Sequence, residues 1–321
     1  MRRRDALALT SAWALLPPVG AQAPARVPRI GILRWGQPGD EAQIGLTAAF
    51  AAAGLRDGST ARIDWRFAQE RALAARHAAE LVALAPTLLI GSATPACQAL
   101  RDATDSIPIV LGTAADPVRA GLVKTLARPG GHITGVSSNL TGAVPKQVQL
   151  LREVLPCLQR VGFLGSADDA ATPAFQSQFR EAARALGLTA LEQLTTHVQG
   201  FAAPLDALVR ERCHAVVVQP LFALSGSEAL NQMLQQRRLP SVSGVMAYLQ
   251  SGGLLVYGPN RQEGFKRTVS FATRILAGAR PADLPVEEPI GYELGINQST
   301  ARAMGITVSR SLLARADEVI A

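Results

Sequence analysis

The groups in this chain that could do chemistry are short polar clusters just after apolar runs. The four histidines, His77, His132, His197 and His214, are scattered, and none has a second histidine or a cysteine two to four residues away to make a metal-type pair. No nucleophile elbow, zinc-protease helix or phosphate-loop pattern occurs. His214 follows Cys213 directly, but neighbours on a strand point to opposite faces, which separates the two groups. These residues argue against catalysis, a resident metal and a cofactor.

Binding chemistry is better represented. In Gly91-Ser92-Ala93-Thr94-Pro95, Thr94 suits an N-cap and Pro95 a first helical turn. The unpaired N–H groups and positive end of such a helix suit a carboxylate, with the Ser92 and Thr94 hydroxyls beside it. Self-capping by Thr94 without a ligand explains the same residues. Asp116, within Gly112-Thr113-Ala114-Ala115-Asp116-Pro117, offers a partner for an ammonium group or an N-cap for a helix over 118–127. Trp35, Phe222 and Tyr257 follow apolar runs and offer ring faces; for Trp35, packing at a strand end is the equal alternative. Ser138, Ser166 and Asp168 add small polar groups. Together they describe a site for a zwitterion: carboxylate at a helix start, ammonium at Asp116, apolar side chain against the aromatics.

The order of elements must bring these residues together. From residue 29 short apolar runs alternate with helical segments, the pattern of parallel sheets covered on both faces. Strands are expected over 29–33, 61–67, 87–91, 107–111 and 132–136, with helices over 41–54, 71–85, 94–104 and 118–127. The plan restarts with a helix over 144–155 and strands over 161–165, 188–194, 215–219, 240–243 and 253–257. The tail predicts a helix over 262–278, a strand over 292–296 and helices over 298–304 and 310–320. In such sheets ligands bind beyond the carboxyl ends of the strands, so the residues following each strand are the candidates.

The fold class is therefore α/β: two doubly wound parallel-sheet lobes, which 321 residues fill at about 130–150 residues each. Pro281, Pro285 and Pro289 suit an extended hinge, and crossings between lobes are expected near 137–143, 258–261 and 280–289. One lobe takes residues 29–137 plus 261–280, and the other 138–260 plus 281–321.

The first residues read as a processing segment. Arg2, Arg3 and Arg4 precede the apolar run Ala6 to Leu16, and Val19-Gly20-Ala21 satisfies the small-x-small rule for cleavage after Ala21. Residues 1–21 are thus expected to be a removed signal peptide. Arg3-Arg4 suits the twin-arginine route, and an ordinary secretory signal uses the same charges. No cysteine follows the run to anchor a lipid, so the product is expected free in a periplasm. The net charge of +7 falls to about +5 once Arg2, Arg3, Arg4 and Asp5 leave with that segment, and the remainder is dispersed without Lys/Arg blocks, a solvated surface rather than a nucleic-acid footprint. If the strands over 161–165 and 215–219 are neighbours in a parallel sheet, Cys157 and Cys213 are at the same end of it, and in an oxidising compartment they either pair or stay, with Cys97, as buried thiols.

Ile107-Pro108-Ile109-Val110, Asp116-Pro117-Val118, Ala120-Gly121-Leu122-Val123 and Leu126-Ala127-Arg128-Pro129-Gly130-Gly131 carry a family resemblance. Tyr257-Gly258-Pro259, Pro281-Ala282-Asp283-Leu284-Pro285-Val286-Glu287 and the closing Leu312-to-Ile320 stretch extend it. From residue 29 onward the chain resembles the ABC-transporter solute-binding family whose characterised relatives take up tryptophan or tyrosine. That resemblance implies the type I periplasmic-binding fold with a three-crossing hinge. It also implies closure on a small organic ligand and docking of a monomer on an inner-membrane permease. A sensor or a non-ABC carrier as the receiving partner is the alternative. The loop Gly165-Ser166-Ala167-Asp168-Asp169 departs from the family's Asn-Pro-rich wording.

Overall fold

The computed structural model describes residues 27–196, 200–225 and 227–321. The signal segment expected over residues 1–21 and His197 lie outside them. β1 (Arg29–Trp35), α1 (Glu41–Ala52), β2 (Arg62–Ala68), α2 (Arg71–Ala83), β3 (Leu88–Ser92), α3 (Thr94–Ala103), β4 (Ile109–Ala114) and β5 (Ile133–Ser137) open the chain. Their strands form a parallel sheet in the order β2-β1-β3-β4-β5. β1 is buried at six of seven positions and β3 at all five, as strands covered on both faces must be. The pleat sends Ile30 and Ile32 to one core, with Phe50 and Phe271, and Leu33 to the other, with Leu89 and Leu111.

The second series comprises α4 (Leu140–Val154), β6 (Arg160–Ser166), α5 (Thr172–Ala185), β7 (Thr189–Thr195), α6 (Ala202–Arg210) and β8 (Ala215–Val218). It continues with α7 (Pro220–Ser225), α8 (Ser227–Gln236), β9 (Ser241–Ser243), α9 (Ala247–Gln250) and β10 (Leu255–Pro259). α10 (Arg261–Leu276) then returns to the first sheet, laying Phe265, Val269 and Phe271 into its core. β11 (Tyr292–Asn297), α11 (Gln298–Ala303), α12 (Arg310–Leu313) and β12 (Glu318–Ile320) close the chain. The second sheet runs β12-β11-β10-β9-β8-β6-β7, with β10 and β11 antiparallel and the other neighbours parallel. Two doubly wound α/β sheets thus share one chain that passes between them three times.

Several segments differ from the sequence expectation. No helix covers 118–127: one turn forms, with Ala120 N–H bonded to the Asp116 carbonyl at 2.9 Å, and Gly121 at φ +69 ends it. The helix expected over 310–320 stops at Leu313, and Glu318–Ile320 becomes the edge strand β12. Asp317 pins that strand, because its carboxylate accepts from Leu294 N–H at 2.8 Å and its own N–H bonds the Leu294 carbonyl. Residues 281–287, assigned to the second lobe from sequence, stay on the first sheet. β5 is an edge whose N–H and C=O groups need partners. Ser137 N–H bonds the Glu287 carbonyl (2.8 Å), Glu287 N–H the Gly135 carbonyl (3.0 Å), and Thr134 Oγ1 the Leu284 carbonyl (2.6 Å). Pro285 sits between the bonding residues Leu284 and Glu287, so no ladder bond is lost.

All three cysteines are free: Cys97 and Cys213 are buried and Cys157 is exposed. Cys213 turns inward and its thiol contacts the Ala215 carbonyl at 3.1 Å, away from the surface that carries Cys157. Burial pushes both buried thiols up to about 12, so neither supplies thiolate at neutral pH. Thiol titration of the folded protein is expected to count one fast cysteine, with all three reacting in denaturant. Two fast thiols would contradict this packing.

Near the end of β10, backbones touch: a Cβ on Gly258 would stand 1.9 Å from the Gly244 carbonyl oxygen. Neither partner is a side chain that can rotate away. Gly258→Ala is expected to cost at least ~2 kcal/mol in urea unfolding, as overpacking against fixed atoms does. A change below ~0.5 kcal/mol would show that this contact yields freely.

Candidate ligand-binding cleft

The carboxyl ends of the two sheets face each other across a cleft with about 710 Å³ of empty space, its open mouth included. Most of its wall is apolar, supplied by Val136, Leu140, Phe175, Leu221, Leu224 and Val245. The polar groups come from the ends of strands and the starts of helices, where parallel α/β architecture leaves backbone groups unpaired.

From the first sheet, Arg34 reaches the cleft with only 2% of its surface exposed. Its Nε and Nη2 lie 3.0 Å from Asp40 Oδ2, and its Nη1 donates to Ser92 Oγ at 3.0 Å. Those contacts use three of five N–H donors. Asp40 Oδ1 meanwhile accepts from Gln43 N–H at 2.9 Å, so one carboxylate caps α1 and orients Arg34. Burial, then the Arg261 charge, draws the Arg34 pKa down to about 10 against the opposing pull of Asp40. It therefore stays cationic at neutral pH.

From the second sheet, Asp169 lines the cleft and is 7% exposed. Ala171 N–H donates to its Oδ1 at 3.0 Å and Gln219 Nε2 to its Oδ2 at 2.7 Å. Gln219, after β8, is the hub: its Oε1 accepts from Ser166 N–H at 2.8 Å and lies 3.0 Å from Thr172 Oγ1. With both Oε1 contacts in place its amide cannot turn over, so Nε2 is committed to Asp169. Burial raises the Asp169 pKa above the usual carboxylate range, while the Ala171 N–H, Arg71 and Gln219 pull it back. A fixed cation and a fixed acid thus belong to opposite walls of one cleft.

The structure distributes the residues expected from sequence unevenly. Thr94 and Ser138 line the cleft. Thr94 is not the N-cap of α3; Ala93 is, at φ +72, and Thr94 Oγ1 instead accepts from Ala115 N–H at 3.2 Å. Ser138 bonds the Ala114 carbonyl through N–H (2.8 Å) and Oγ (3.2 Å), tying the first crossing to β4. Ser92 acts on Arg34, and Ser166 Oγ accepts from Asp168 N–H at 3.3 Å. Asp168 is exposed, and its buried neighbour Asp169 takes the wall. Asp116 accepts from Arg119 N–H at 3.1 Å and caps its own turn, away from the cleft lining.

The three expected aromatics pack elsewhere. Trp35 belongs to the first sheet's core, Phe222 meets Phe201 edge-on at 5.0 Å, and Tyr257 stacks on Tyr292 at 5.4 Å. Phe175 is the ring on the cleft wall. Arg34, Asp169 and Gln219 escaped selection although each stood in a segment that follows an apolar run. The signal for Arg34 was a charge inside RIGILRW, a strand otherwise buried from Ile30 onward.

The family model for ABC transporter substrate binding proteins matches residues 36–320. A crystal structure of a conserved domain protein from Vibrio cholerae superposes with TM-score 0.86 at 27% identity, covering 92% of this chain and 100% of that one. A Streptococcus pneumoniae ABC domain in complex with L-Trp gives TM-score 0.84 at 27% identity, over 91% of this chain and 99% of that one. The tyrosine-binding protein of Clostridioides difficile is 24% identical over 266 residues, 83% of this chain and 76% of its own.

Because Asp116 caps a turn, Asp116→Ala is expected to lower stability by about 0.5–1 kcal/mol and change ligand affinity by less than ~0.5 kcal/mol. Calorimetric titration that showed a tenfold loss would return Asp116 to the binding site.

Proposed function

The chain belongs to the ABC transporter substrate-binding protein family, and on that premise we propose that it captures an aromatic or other apolar amino acid outside the cytoplasm for an inner-membrane permease. It acts by closure of its two lobes, not by catalysis. The observation that carries this reading is the buried Arg34 on one wall of the cleft and the buried Asp169 on the other.

The zwitterion inferred from sequence keeps its form and changes its partners. The ligand carboxylate goes to the spare Arg34 donors and the start of α3, where the helix dipole favours an anion. Its ammonium goes to Asp169, whose two oxygens each retain acceptor capacity after the bonds from Ala171 and Gln219. The apolar side chain lies against Leu140, Phe175, Leu224 and Val245. Tryptophan and tyrosine, bound by the two relatives named for them, are candidates on this chemistry. Differential affinity for the closed form drives the lobes together, since a ligand touching both walls binds that form better.

The test is a thermal-shift series with L-tryptophan, L-tyrosine, L-phenylalanine and L-leucine beside 3-phenylpropionate and phenethylamine. A ligand at a hundred times its Kd adds about 2.7 kcal/mol of stability, a shift of several degrees. Stabilisation by an amino acid but by neither half-molecule is expected. If only compounds without an amine stabilise the protein, Asp169 is not an ammonium site.

The pH dependence has a definite sign. Burial raises the folded-state pKa of Asp169, so the ligand-free fold gives up stability as pH rises through that range. Ammonium binding needs the ionised form, so affinity is full above that pKa and falls as pH drops through it. Asp169→Asn is expected to remove this acid limb and to cost about 2–4 kcal/mol of binding at neutral pH. Calorimetry with the acid limb intact in the variant would assign the titration to another group.

A further inference from the structure

We propose that Arg71 is a closure-dependent positioning residue that joins the two lobes at the cleft mouth and supports Asp169 only when the cleft is shut. This rests on the reading of Asp169 as the ammonium site. Arg71 is the first residue of α2 on the first lobe, and its Nη2 donates to the backbone carbonyl of Asp168 on the second. The two residues stand 97 apart in sequence and belong to different sheets, so the contact exists only while the lobes face each other.

Arg71 is exposed and builds no core. As a cation in the first turn it sits at the positive end of its own helix, which local electrostatics disfavour. Its compensation lies across the cleft. The acceptor is the residue immediately before Asp169, so the bond fixes the loop that carries the acid. Arg71 also acts through space on the Asp169 carboxyl, holding it toward the ionised form. The cations on the cleft wall itself are Arg34 from β1 and Arg261 from α10; Gln219 from the β8 end is neutral. Arg34 is already paired with Asp40, and Arg261 donates to Glu41 at 3.0 Å.

Two apolar contacts accompany this bond. Leu221 of the second lobe packs against a core cluster of the first, and Ala115 of the first against the core of the second. Apolar contacts tolerate sliding, whereas a guanidinium on a carbonyl does not. An interaction made only in the closed state slows ligand release and leaves capture by the open state unchanged. Because Arg71 is exposed, salt screens its charge.

The experiment is stopped-flow binding of L-phenylalanine and 3-phenylpropionate to wild type, Arg71→Ala, Arg71→Lys and Asp169→Asn, at low and high salt. For Arg71→Ala, L-phenylalanine is expected to dissociate about tenfold faster with an unchanged association rate and melting temperature. Salt is expected to speed release from wild type and not from Arg71→Ala, and Arg71→Lys is expected to restore part of the slow release. Equal dissociation rates in wild type and Arg71→Ala, with Asp169→Asn still weakened, would overturn the role of Arg71 alone. If 3-phenylpropionate binds wild type as tightly as L-phenylalanine, the Asp169 reading fails and takes this one with it.

Discussion

A parallel sheet delivers every strand's carboxyl end to the same side, and every following helix begins there. Those helix starts leave N–H groups without intrahelical partners, which makes that side of the sheet polar and locally positive. In this protein the parallel strands of two sheets, all of the first and β6–β10 of the second, turn those sides toward each other, joined by a chain that passes between them three times. The cleft, its mostly apolar wall and its few fixed polar groups all follow from that arrangement. It also accounts for where the sheets are least regular. β5 would be an open edge, and residues 284–287 cover it while leading the chain back toward the second lobe.

Arg34 and Asp169 show how such a cleft holds charge without collapsing around it. Each is buried, and each is oriented by groups already needed for structure: Asp40 is the cap of α1, and Gln219 joins β6 to the start of α5. Burial works against both ionised forms, lowering the pKa of one and raising that of the other. A zwitterion placed between them would relieve both desolvation costs at once. That is a physical reason for a clamshell to prefer an amino acid over either of its half-molecules.

Most secondary structure was legible because apolar periodicity and helix stops are local signals. Of the misread elements, one was ended by its own backbone and another was decided by a distant partner. The stretch 118–127 carries helix-forming residues, but Gly121 in the left-handed region halts it after one turn. Glu318–Ile320 reads as the end of a helix until β11 offers it an edge to pair with. Within the site, the segments were found and the residues inside them were often not. Asp168 and Asp169 are chemically identical in the sequence, and only the turn at Ser166–Thr172 decides which one points inward.

Taken alone, the order of apolar runs, glycine and proline stops and family-type motifs determined the α/β plan, the two lobes and the binding character of this chain. Those properties depend on residues close in sequence or on composition. The tertiary structure decided which polar groups share the cleft, because that depends on the register of two sheets and the angle at which they meet. Trp35, Phe222 and Tyr257 looked like ligand-facing rings; the packing of two cores claimed the first two, and Tyr292 stacked on the third. Burying a large ring in a core lowers the free energy more than leaving it at a wet cleft. The charges were left to the cleft because only there did Asp40 and Gln219 stand ready to hold them.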